Sequence, residues 1–61
     1  MKVGERWVGR KNPKEFVAKI TELGVNSLGN EYVKATDEYR GPFIFGRKQF
    51  VKMFRKLYES R

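Results

Sequence analysis

Histidine and cysteine are both absent from this 61-residue chain, which carries 14 lysines and arginines against 7 acidic residues. Without imidazole or thiolate there is no ordinary acid–base relay, no cysteine nucleophile and no soft ligand set for a transition metal. The remaining candidates for catalysis are thin. Asp37 and Glu38 are adjacent carboxylates, but they fall in a predicted turn, where acidic residues are expected anyway. Ser27 and Ser60 have no base at a useful spacing. Gly41-Pro42-Phe43-Ile44-Phe45-Gly46 has two glycines, yet neither a P-loop nor a dinucleotide fingerprint can be written on it. The expectation is therefore no enzyme: no catalytic residues, no metal and no cofactor.

The cations carry more information. Residues 1–14 hold Lys2, Arg6, Arg10, Lys11 and Lys14 against Glu5 alone, and residues 47–61 hold six basic residues against Glu59. Between them, residues 15–46 are mildly acidic. Positive charge gathered at both ends of a chain favours a polyanion or an acidic surface as partner. Lys48, Lys52, Arg55 and Lys56 fall on one side of a predicted helix. Arg6, Arg10, Lys11 and Lys14 lie on the first predicted strand and its turn, and Arg47 with Lys48 opens the helix. All nine can neutralise phosphates, while Tyr32 and Tyr39 are the aromatics expected outside, where they could stack on unpaired bases. The plainer reading is a solvated basic face, with both tyrosines capping a small core.

The leading expectation is a weakly selective nucleic-acid binder, of DNA or RNA, because no base-reading motif is present. The alternative is a protein-interaction module whose exposed strand edge and basic ends suit an acidic protein surface. Self-association as a weak homodimer is a third possibility, through Met53, Leu57 and Tyr58.

Elements that would position these residues can be read in order. Residues 5–10 form a first strand with Trp7 as core anchor, and Pro13 marks the turn after it. Residues 15–23 alternate, with Phe16, Ala18 and Ile20 on one side and Val17, Lys19 and Thr21 on the other, which favours a strand. A helix competes there, since Phe16, Lys19, Ile20 and Leu23 also have helical spacing. Gly24–Asn30 is a turn, residues 31–36 are a third strand, and residues 42–46 are a fourth that begins, at its edge, with Pro42. Residues 47–60 have the clearest helical period: Phe50, Val51, Met53, Phe54, Leu57 and Tyr58 share one arc. Only Gly46 is available as its N-cap.

The expectation is an α+β fold: a small, strongly bent antiparallel sheet of about four strands, closed by a C-terminal amphipathic helix. Phe50, Phe54 and Leu57 would pack on Trp7, Phe16, Ile20, Val33 and Phe43. Gly4, Trp7, the short strands and the run Phe50, Phe54, Tyr58 resemble the small SH3-like barrel proteins of bacteriophages and bacteria. That resemblance implies a compact barrel and no fixed activity. It also implies, for a phage-encoded chain, a small modulator or inhibitor of a host protein as one form of the alternative.

Sixty-one residues make one domain at most, 1–61. The lack of cysteine suits a reducing cytoplasm, that of the host for a phage protein, and no membrane span or signal segment is expected.

Overall fold

The computed structural model describes residues 1–57. Five strands, β1 (Arg6–Gly9), β2 (Val17–Val25), β3 (Glu31–Asp37), β4 (Gly41–Gly46) and β5 (Phe54–Lys56), form one antiparallel sheet. Its order is β4-β3-β2-β1-β5, so β4 and β5 are the two edges. One helix, α1 (Arg47–Met53), joins β4 to β5.

This corrects the expected helix-closed α+β architecture. Among the described residues the fold is a mostly antiparallel sheet with a single seven-residue helix, and the sheet does not close on itself. The helix expected over 47–60 ends at Met53, because the next three residues pair with β1: Phe54 opposite Gly9, Arg55 opposite Val8 and Lys56 opposite Trp7. Fixing three residues into a ladder along the edge of β1 that β2 leaves open outweighs the small gain from extending a short helix. Residues 58–60 of the expected helix, including Tyr58 of its apolar arc, lie outside the described residues.

Strand β2 settles the 15–23 ambiguity in favour of strand. Between Ile20 and Glu22 the register shifts by one residue, a bulge that bends β2 and resets its alternation. Before the bulge the even residues Ala18 and Ile20 are buried; after it Leu23 packs against the core.

That core holds Ala18, Ile20, Val33, Ala35, Phe50 and Phe54, with Trp7, Phe16, Phe43 and Phe45 partly buried around it. Phe50 is the only residue α1 buries, and its exposure is 0%. Its ring lies 4.8 Å from that of Phe54 and 5.3 Å from the indole of Trp7, while Phe54 stacks on Phe43 at 5.9 Å. Offset and tilted rings at these separations add to simple area burial. Leu57, expected in this core, is only half-buried.

Two turns finish the frame. Asn26 Oδ1 accepts the backbone N–H groups of Leu28 and Asn30 in the β2–β3 connection. Asp37 Oδ1 accepts those of Tyr39 and Arg40 in the β3–β4 connection, where Gly41 at φ 79° takes the left-handed position that closes a three-residue hairpin loop.

Candidate functional site

Alternation along β5 sends Phe54 and Lys56 to the inner side and Arg55 to the outer side. The face expected to hold Lys48, Lys52, Arg55 and Lys56 together therefore does not exist. Lys48 and Lys52 remain one turn apart on α1, exposed. Lys56 instead reaches Glu5, its Nζ 3.0 Å from Oε2, and the Trp7 indole N–H donates to the other carboxylate oxygen at 3.3 Å. The Lys56 ammonium first, then the backbone N–H of Lys2, hold the Glu5 carboxyl down at about 2.

Other candidates are likewise occupied. Arg47 is paired with Glu31. Arg10 donates from Nε and Nη2 to the Val51 carbonyl at 3.1 and 2.9 Å, and its backbone N–H bonds the Met53 carbonyl at 3.0 Å. Two orphan carbonyls at the end of α1 are thus satisfied by one residue, with a cation placed at the negative end of the helix.

What sequence reading missed is Lys19. The register sets it directly opposite Arg6 on the outer side of β1–β2, thirteen residues away in the chain. Arg55 stands opposite Val8 on the same side, with Arg6 two residues before Val8 in β1 and Arg10 just past the end of that strand. Val8, on this side, is only 3% exposed although it is not part of the inner core. Lys19, Arg6 and Arg55 are neighbours across three strands, at the ~5–8 Å spacings of facing and diagonal positions, and Arg10 follows just past the end of β1. The outward side of Lys19 was legible from its alternation with Val17 and Thr21. Its partner strand was not.

This band runs on to one end of the sheet. Lys11 and Lys14 lie in the β1–β2 connection, and Lys52 sits between the two helix residues that Arg10 holds. The β3–β4 turn is at the same end, because Ala18 faces Asp37 and Asp37 faces Gly41. Arg40 ties turn and connection together: its Nη1 donates to the Glu15 carbonyl at 3.1 Å and its guanidinium lies 3.8 Å over the Phe16 ring. Among the described residues, no carboxylate forms an ion pair with Lys11, Lys14, Lys19, Lys52 or Arg55.

The two tyrosines separate. Tyr39 projects from the β3–β4 turn at 79% exposure. Tyr32 is half-buried, its ring lying across Gly24 where any Cβ would meet it at 2.5 Å, and its hydroxyl donates to Glu22 at 2.7 Å. That bond raises the Tyr32 pKa, and together with Lys34 it lowers that of Glu22.

Asp37, one of the adjacent carboxylates, is a buried turn anchor, whereas Glu38 is exposed. At the opposite end, a groove of about 1140 Å³ runs between the Asn26–Asn30 connection and the start of α1, lined by Tyr32, Ile44 and Lys48 among others. Among the described residues no helix is long and apolar enough to cross a membrane. Comparison with family models, curated proteins and solved structures found no match for this chain.

Proposed function

We propose that this chain is a binding protein for nucleic acid, with weak sequence selectivity, and that it works through the outer side of β2–β1–β5. The observation that carries this reading is the register placing Lys19, Arg6 and Arg55 as neighbours, with Arg10 just past the end of β1. Lys11 and Lys14 continue from it into the β1–β2 connection. Four other cations, Lys34, Arg40, Arg47 and Lys56, are drawn into ion pairs with Glu22, Asp37, Glu31 and Glu5. Four of the seven acidic residues are thus paired locally, while Lys11, Lys14, Lys19, Lys52 and Arg55 have no carboxylate ion-pair partner among the described residues. A row of cations neutralises successive phosphates and releases their counterions, which gives affinity without base reading.

The test is binding of labelled DNA and RNA across a salt series. The expected result is a log–log slope near −0.7 to −0.9 per phosphate contacted. A flat slope, or no binding at low salt, contradicts the reading.

A protein-interaction role is favoured by a different observation. β4 is an edge strand, and Ile44 at its centre is 55% exposed beside the groove at the start of α1. An added strand from a partner would seat there. That reading predicts a stoichiometric protein partner that survives nuclease treatment and is lost in Ile44→Lys.

A further inference from the structure

We infer that the preferred ligand is single-stranded nucleic acid, gripped at the end of the sheet that carries Tyr39, Lys11 and Lys14; this rests on the nucleic-acid reading above. Tyr39 is the aromatic most exposed among the described residues, and it contributes nothing to the core. Its turn is nevertheless anchored at Asp37 and at Arg40. Asp37 Oδ1 accepts the Tyr39 backbone N–H at 2.8 Å and that of Arg40 at 3.1 Å. Arg40 then pins the turn to Glu15 and Phe16 of the β1–β2 connection, which carries Lys11 and Lys14. An aromatic ring on a fixed turn, with cations on the connection joined to it, is the pairing that holds a strand: phosphates on the lysines and a splayed base on the ring.

Duplex offers no such base face, because its bases are stacked inside. The helix among the described residues is also poorly suited to entering a duplex groove. α1 spans only about 10 Å, and Arg10 holds its far end against β1.

The experiment compares labelled oligo-dU and oligo-U of about 15 nucleotides with a duplex of equal length, for the parent chain and for Tyr39→Ala, Tyr39→Phe and Tyr39→Trp. The expected result is tighter binding of a single strand than of duplex. Tyr39→Ala should then weaken the single strand about tenfold and leave duplex binding unchanged, while Tyr39→Phe restores it. Oligo-dU against oligo-U, which differ only at the 2′-hydroxyl, separates the deoxy from the ribo source. In Tyr39→Trp, stacking should quench the new indole beyond any change at Trp7 seen in the parent. Single-strand binding that is unmoved by Tyr39→Ala, or an unquenched indole, overturns the inference and leaves the nucleic-acid reading standing. Preference for duplex does the same. No binding to any probe overturns both.

Discussion

Lys19 on β2 faces Arg6 on β1 directly across the ladder, two cations at a position where opposite charges are the stabilising arrangement. Such a facing pair costs the folded chain a few tenths of a kcal/mol, and a bound phosphate would reverse the sign of that contribution. Lys19→Gln should therefore leave stability unchanged or raise it by up to about 0.5 kcal/mol, as read by thermal unfolding. The same variant should reduce the salt slope of nucleic-acid binding by about one phosphate contact.

Glu5 gives the fold an acid sensitivity. Its carboxyl titrates at about 2 in the folded chain and at 4.5 ordinarily. A carboxyl depressed by folding contributes stability that is fully present above its unfolded pKa and is lost as pH falls through the folded one. The window is therefore pH 4.5 down to about 2. Trp7, hydrogen-bonded to the same carboxylate, reports the loss through its fluorescence. Glu5→Gln should flatten the change in stability across that window, leaving only the slope from other carboxylates.

Arg10 should behave as a structural residue although it sits in the basic band. Arg10→Ala removes the two guanidinium bonds to the Val51 carbonyl and the charge at the helix end, for a loss of about 1–3 kcal/mol. Lys52→Ala, at an exposed neighbouring position, should stay within about 0.5 kcal/mol of the parent. Equal effects of the two in denaturant unfolding would count against the capping role.

Phe50 is the pivot of the core. Phe50→Ala should cost about 3–5 kcal/mol, comparable with the total of about 3–9 kcal/mol expected for a chain of this size, so the variant should be largely unfolded by circular dichroism. Met53→Ala, one turn later and part-exposed, should be far milder.

Phe50 and Phe54 also show where sequence reasoning holds and where it stops. Their spacing of four is helical, and both are buried as expected, yet Phe54 is reached by a helix that has already ended. An apolar residue just past a short helix still points inward, so the amphipathic pattern cannot distinguish a helix of fourteen residues from a helix of seven followed by a strand. What separates them is the pairing of Phe54, Arg55 and Lys56 with β1, a contact across more than forty residues. The strands were readable from local alternation: Val33 and Ala35 are buried in β3, Ala18 and Ile20 in β2. The bulge that turns Leu23 inward left no local signal.

The candidate site follows the same division. Outward positions such as Lys19 and turn positions such as Tyr39 are local properties of the chain. Which cations become neighbours is a property of register. Arg55 and Lys56 are adjacent in sequence and end on opposite sides of the sheet, one beside Val8 and the other against Glu5. Lys19 and Arg6 are distant and end face to face.

The most direct measurement compares two charge-matched triple variants in one salt-dependent binding assay with single-stranded DNA. One carries Lys11→Gln, Lys19→Gln and Arg55→Gln within the band; the other carries Lys2→Gln, Lys34→Gln and Lys48→Gln outside it. Both lose three charges, so a general effect of net charge weakens them alike. The band account predicts that the first loses most of its affinity and about three contacts' worth of salt slope, while the second binds nearly as the parent does. Equal weakening of the two, or a greater loss in the second, would contradict it.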